Sequence, residues 1–335
     1  MSGRRRVVVP QGVPNLEALC TIFPIDSSEL REGRVFIGRV RARSLTDAIS
    51  YGCIVHVESA RHATPATPAT PAAIAVHHED DQLLVVEKPP GLVTIAELSG
   101  TARSLLDVLA AERGLLAREL HPSSRLDLGV SGLIIFAKTD LARRELMELR
   151  GADLYGRGYL AIAVGTPPDA MGTWEFPIGR GADGKLREVN GRGAVAAKSF
   201  FNVVAATESR SHSLLLLRPV TGRTHQLRVH ASHAGHALVG DRIYGSRRPL
   251  AAANGAIRRW DRVALHCHRL VLGAPIGRVF ESPAPEEFQA LWTWLGGAIG
   301  DMQLASDAAT RLLPPPVLGA DARHRGSHHG RPRGG

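Results

Sequence analysis

The sequence predicts an α+β fold: a mostly antiparallel mixed sheet flanked by helices. Three observations point to it. Short apolar runs recur through the middle of the chain at strand length, separated by glycine, proline and polar residues. Leucine- and alanine-rich stretches with polar or glycine ends, which read as helices, are fewer. The 335 residues, 44% hydrophobic and 22% charged, have the composition of a globular chain long enough to bury such a sheet.

Taken in order, residues 1–62 form a small N-terminal segment in which GRVFIGRVRA and GCIVHVES read as strands, and NLEALC and SLTDAI as fragments of helix. Residues 63–73, ATPATPATPAA, repeat a three-residue unit with no large side chain to bury, so they read as a semi-stiff linker. The main body, 74–300, carries the strands DQLLVVEK, SGLIIFAK, YLAIAV, SFFNVV, SLLLLRPV and ALHCHRLVL, and the helices SLLDVLAAERG and DLARRELMELR. Residues 301–335, ending in LLPPPVLGADARHRGSHHGRPRGG, read as a disordered basic tail.

The formal charge of +9 points weakly to an acidic partner, because Arg4, Arg5 and Arg6 and the tail arginines beyond Asp321 supply much of it. Three cysteines, Cys20, Cys53 and Cys267, lie far apart and are odd in number, which indicates neither a disulfide framework nor a metal site and fits a reducing cytoplasm. Pro10 interrupts the start before a signal-length apolar segment develops, and no run has membrane-spanning length.

Two stretches carry chemistry. In HPSSRLDLGVSGLIIFAKT, Asp127 sits between a basic residue and two glycines, just before an apolar strand. Alone, an aspartate there pairs with Arg125 or caps a turn. In LLLLRPVTGRTHQLRVHASHAGHALVGDRIYG, a strand runs into a turn at Thr221, Gly222 and Arg223, and Thr224 is placed to cap a helix that Gly235 ends. Such a junction gathers N–H donors and a guanidinium where a carboxylate or phosphate is readily held. His225, His230, His233, His236, His266 and His268 show no zinc-binding spacing, so no metal is expected.

SRLDLGVSGL, GRGYLAIAVG, RPVTGRTHQLRVHASHAGHALVGDRIYG and ALHCHRLVL, in this order, resemble the RluA-type family of RNA pseudouridine synthases, as does HHEDDQLLVVEKPPGLVT. The resemblance covers roughly residues 74–295. It departs from the family pattern at Ser124 and Val130, where histidine and threonine are usual, and at Arg157, Ser199 and Phe201, where lysine, threonine and tyrosine are usual. It implies the pseudouridine synthase fold and isomerisation of uridine in ribosomal or transfer RNA without a cofactor. Asp127 would be the catalytic carboxylate, Arg223 its ion-pair partner, and Tyr159 the ring that stacks on the base and the base for the final proton. Arg125, Leu126, Arg157, Thr221, Gly222, Thr224, His225, Gln226 and Arg228 would bind substrate. Attack by Asp127 and proton removal from the ribose both need its ionised form, and both stay open. GRGADGKLREVNGRG, with Arg180, Lys185, Arg187 and Arg192, reads as a flexible basic hairpin for RNA phosphates. The N-terminal segment resembles either a degenerate S4-type RNA-binding module or a family-specific extension. The expected protein is a monomer without membrane partner; an RNA-binding protein that lost turnover on the same scaffold is the alternative.

Overall fold

The computed structural model describes residues 4–26, 29–30, 35–37, 40–42, 44–58, 74–96, 104–182, 184, 186–245, 250–252 and 255–314. The chain divides into two compact units, Met1–Thr70 and Pro71–Gly335. The repeat at 63–73 lies outside the described residues.

The first unit contains β1 (Arg4–Val8), α1 (Leu16–Leu19), β2 (Val35–Ile37), β3 (Val40–Arg41) and β4 (Ile54–Glu58). Its four strands pair in the antiparallel order β1-β4-β2-β3. Leu16, Leu19, Val35, Val55 and Val57 form its small core. NLEALC yields α1, capped by the Asn15 side chain. SLTDAI, expected to be helical, is instead a turn with an isolated bridge from Ala48 to Asn15. Backbone bonds from Leu16 and Glu17 to the Asp47 and Leu45 carbonyls hold it extended, so tertiary pairing overrides local propensity there.

The second unit opens with β5 (Val76–Glu79), β6 (Leu83–Lys88), α2 (Leu105–Glu112), β7 (His121–Pro122), β8 (Ser131–Ala137), α3 (Asp140–Gly151) and β9 (Tyr155–Val164). It continues with β10 (Met171–Trp174), β11 (Ile178–Arg180), β12 (Arg187–Val189), β13 (Arg192–Val195), β14 (Ser199–Ala206), β15 (His212–Pro219) and α4 (Gln226–His233). After β16 (Leu250–Ala251) and β17 (Ile257–Arg258) come β18 (Leu265–Leu272), β19 (Arg278–Glu281), α5 (Glu286–Trp294) and α6 (Asp301–Leu312). The main sheet runs β10-β14-β15-β9-β18-β8-β6-β5, with β19 added to β18 and β7 to β8. Among the described residues, its one parallel pairing joins β18 to β8.

Every residue of β8 and β18 is buried, the pattern of strands covered on both faces. Alternation along β9 sends Tyr159 and Ala161 to the face covered by Leu146 and Leu149 of α3 and Leu227 of α4. Leu160 and Ile162 point to the opposite face, covered by Phe288, Leu291 and Trp292 of α5 and by α6. Ser104 and Asp107 form a capping box at the start of α2, and Thr139 caps α3, so both helices begin where their polar residues predict.

Two further expectations need correction. The first turns of 301–335 are not a disordered tail: 301–312 is α6, with Ala305, Ala308, Ala309 and Leu313 buried, and residues from 315 lie outside the described set. The small face of α6 fits closely over the sheet, where the Leu313 side chain meets the open backbone of Gly156 and Gly158. The basic stretch is not a loose hairpin but a three-stranded antiparallel sheet of order β12-β11-β13, and Lys185 lies outside the described residues.

Candidate active site

Gly132 sets the geometry. It pairs with Cys267 on β18, and Cys267 pairs with Tyr159 on β9, so one row across three strands carries all three. Gly132 has φ +112°, and a Cβ there would lie 2.3 Å from the Cys267 carbonyl oxygen, so no other residue allows β8 and β18 to approach this closely. The loop just before β8 is thereby carried to the mouth of the sheet with Asp127 on it.

Several buried bonds fix that loop. Val130 donates to the Asp127 carbonyl at 3.0 Å. Leu126 is buried, and its N–H and carbonyl both bond the Thr94 hydroxyl at 3.1 Å. Lys88, 0% exposed, donates through Nζ to the carbonyls of Leu92 (2.7 Å), Pro89 (2.9 Å) and Leu128 (3.5 Å). Burial pulls its ammonium down to about 7, against the opposing charge of Asp127. Ser131 bonds His266 Nδ1 at 3.0 Å, which burial holds neutral at about 3.

The Asp127 carboxylate is the exposed end of a chain of alternating charges. Its side chain is 25% exposed, and its Oδ2 accepts from Arg228 Nη1 at 2.8 Å. Arg228 in turn donates through Nε and Nη2 to both oxygens of Asp241, at 2.7 and 2.8 Å. Asp241, 1% exposed, also accepts from the N–H groups of Ile243 and Tyr244 at 3.0 Å. Burial alone would weaken both charges, but the bidentate pair outweighs it: Arg228 is raised and Asp241 lowered. His225 Nε2 stands 3.9 Å from Asp127 Oδ2, its Nδ1 bonds the Tyr244 hydroxyl at 2.7 Å, and burial lowers its imidazole.

Arg228, not Arg223, is therefore the ion-pair partner of Asp127. Arg223 lies in the turn before α4, exposed, and its Nε donates to the Ala196 carbonyl at 3.1 Å; Arg228 lies in the first turn of α4 and projects under the cleft. Thr224 is not the helix cap. His225 occupies that position in the left-handed region, φ +57°, with no side-chain cap bond. Gln226 secures the turn instead, because its Oε1 accepts from the Arg223 N–H (3.0 Å) and the Thr221 hydroxyl (2.7 Å). Its Nε2 donates to the Lys198 carbonyl and Ser199 Oγ at 2.9 Å, so its amide is spent inside the protein and not on substrate.

Asp127 and Tyr159 both line a cleft of ≈ 710 Å³, together with Arg125, Leu126, Arg157, Thr221, Gly222, Arg223, Thr224, His225, Gln226 and Arg228. Every residue expected at the site lines it. Tyr159 is buried, cross-strand from Cys267 on β18, and burial raises its phenol well above the ordinary range. Burial also pushes Cys267 up to about 12. The residues expectation missed are Lys88, Thr94, Arg150 and Asp241. A second, basic groove of ≈ 490 Å³ shares Gly222, Arg223 and Thr224 with the cleft and adds Arg180, Arg187 and Arg192. Among the described residues, no three His, Cys, Asp or Glu side chains are placed to hold a metal ion, and no helix is long and apolar enough to cross a membrane.

The chain is similar to known proteins over most of its length. Residues 82–233 match the family described as RNA pseudouridylate synthase. The ribosomal large subunit pseudouridine synthase D of Pseudomonas aeruginosa is 33% identical over 286 residues, 81% of this chain and 88% of that protein. The protein of the same name from Xanthomonas campestris pv. campestris is 31% identical over 321 residues, 88% of this chain and 93% of that one. Among solved structures, human RNA pseudouridylate synthase domain containing 4 superposes with TM-score 0.52 at 26% identity, covering 66% of this chain and 92% of that one.

Proposed function

Since the chain belongs to the RluA-type RNA pseudouridine synthase family and isomerises uridine in RNA to pseudouridine, we propose that Asp127 is its catalytic carboxylate. One observation carries the assignment: within a cleft of nucleotide size, Asp127 presents an oxygen to solvent while Arg228 holds the same carboxylate from behind.

The reaction breaks the bond from C1′ of the ribose to N1 of uracil, turns the base, and joins C1′ to C5; C5 gives up its proton and N1 takes one up. Nothing is oxidised or reduced and no group leaves the RNA, so a carboxylate and a shaped pocket suffice. A base inside a stacked helix is out of reach, and the target uridine enters flipped or unpaired. Arg228 sets its guanidinium against Asp127 in the pocket, and attack and ribose proton removal both use the carboxylate. Tyr159 offers its ring to the flipped base. Burial raises its phenol and holds it neutral, so stacking is the role its setting supports, and use as the final base does not follow from it.

The basic groove, continuous with the cleft through Gly222, Arg223 and Thr224, supplies phosphate contacts for the flanking strand. The substrate is ribosomal RNA of the large subunit, a reading supported by the names of the relatives similar over most of this chain. The enzyme acts as a monomer in the cytoplasm, in keeping with three unpaired cysteines. The test compares pseudouridine maps of total RNA from cells with the gene, without it, and with Asp127→Asn. A uridine in large-subunit RNA that is modified only with the wild-type gene is expected; an identical map in all three strains sinks the proposal, and a map unchanged by Asp127→Asn alone removes that residue.

A further inference from the structure

The cleft carries two cations that the catalytic geometry does not use. Arg157 lies on β9, two residues before Tyr159, and Arg150 lies in the last turn of α3, and both line the cleft. They converge over Gly222: a Cβ there would lie 3.1 Å from Arg150 Nη2 and 3.7 Å from Arg157 Nη2. Their protein bonds are to backbone only. Arg150 Nη1 donates to the Ser123 carbonyl, and Arg157 Nη2 to the Thr221 carbonyl at 3.3 Å. Among the described residues neither has a carboxylate within ion-pair distance, whereas Arg228 on the same cleft has two, Asp127 and Asp241. Arg157 Nε is buried without an acceptor.

Two like charges held side by side repel. Desolvation, then the charge of Arg157, lowers the Arg150 guanidinium from its ordinary range. Each guanidinium has five N–H donors in a planar fork, and single bonds to backbone carbonyls leave most of them unused. A group with several acceptor oxygens and negative charge satisfies both forks and relieves the repulsion. The absence of a side chain at Gly222 leaves the place between them open.

We propose that Arg150 and Arg157 form an anion subsite on the cleft that binds a backbone phosphate next to the target uridine, an inference that rests on the cleft being the uridine pocket. The pair anchors the strand where the base leaves it, on the opposite wall of the turn at Gly222 from the basic groove's Arg180, Arg187 and Arg192. Ser123 joins the device, since its hydroxyl bonds the buried Tyr155 hydroxyl at 2.8 Å while its carbonyl holds Arg150. Arg150 stands outside the hydrophobic core, so its substitution is expected to leave the fold intact.

The test has two arms. Inorganic phosphate is titrated into the full-length protein against chloride at constant ionic strength, following the side-chain Nε–H signals of arginine by NMR. Phosphate is expected to shift the Arg150 and Arg157 signals, and Arg150→Gln to weaken the binding about tenfold, as loss of one charge-assisted bond does. In the second arm, pseudouridine formation is measured in RNA from cells lacking the gene. Arg150→Gln is expected to lower kcat/KM about tenfold, chiefly through KM, with Arg150→Lys recovering most of it. Phosphate that shifts neither signal, or binds Arg150→Gln as tightly as wild type, overturns the subsite whatever turnover shows. An unchanged kcat/KM in Arg150→Gln overturns it as well. Phosphate binding at these arginines in a wild-type protein that forms no pseudouridine upholds the subsite and refutes the uridine reading instead.

Discussion

Asp241→Asn tests the geometry behind Asp127 without touching the cleft surface. Asp241 accepts four hydrogen bonds, two from Arg228 and two from the backbone at Ile243 and Tyr244. An asparagine keeps one acceptor oxygen. If that oxygen retains the backbone bonds and Arg228 Nη2, the amide Nδ2–H groups face Arg228 Nε–H, donor against donor. One charge-assisted bond is lost, about 1.5–3 kcal/mol. Arg228, 7% exposed, is then left with half its counter-charge. Removing one partner of a buried pair costs about 3–5 kcal/mol in all, the range expected here.

The functional effect follows from the stability effect. With Asp241 neutral, Arg228 has one anion left, Asp127, and swings toward it. Asp127 becomes more firmly paired and less available to substrate, so kcat falls by about one to two orders of magnitude while KM for RNA changes little. Urea denaturation gives the first number and single-turnover pseudouridine formation the second. A variant within about 1 kcal/mol of wild type that turns over normally would refute the idea that Asp241 sets the position of Arg228.

Three further outcomes are expected. Lys88 is held at about 7 when folded, against 10.5 for the free side chain, so the unfolded chain binds the extra proton between those values and stability rises with pH there. Between pH 7 and pH 9 wild type should gain about 2 kcal/mol that Lys88→Met lacks; parallel curves for the two proteins in urea at both pH values would contradict this. Gly132→Ala should cost about 3 kcal/mol or more, or prevent folding, because its Cβ meets backbone at 2.3 Å; a melting temperature near wild type counts against the close approach of β8 and β18. In Arg187→Ala/Arg192→Ala, the salt dependence of RNA binding should flatten by about one unit of slope per lost phosphate contact, while kcat at saturating RNA stays; an unchanged slope removes the groove from RNA binding.

What the sequence made legible was whatever depends on near neighbours. β6, β8, β9, β14, β15 and β18 are apolar runs that read as strands because both faces are covered, and α2 and α3 start at their capping residues. The residues at the cleft were legible too, as motifs. Their pairing was not. Arg223 and Arg228 both stand in TGRTHQLR, and spacing does not say which of them meets an aspartate a hundred residues earlier. The structure buries nearly every residue of α4, from Gln226 to Ala231, so a buried arginine there needs an acid, and Asp241, in GD at 240–241, supplies it. Composition misled at the C-terminus, where alanines of α6 look too small to build a core. They are small because the sheet beneath them is close, and Gly156 and Gly158 are bare for the same reason: Leu313 would meet a Cβ at 2.7 Å over the first and 3.1 Å over the second. A chain ending at residue 300 therefore uncovers Leu160, Ile162, Leu214 and Leu216 and removes Asp301, which accepts from Trp292 Nε1 at 2.9 Å. It should lose several kcal/mol, while one ending at residue 314 keeps the wild-type melting temperature. Equal melting of both would mean that α6 contributes nothing to the face it covers.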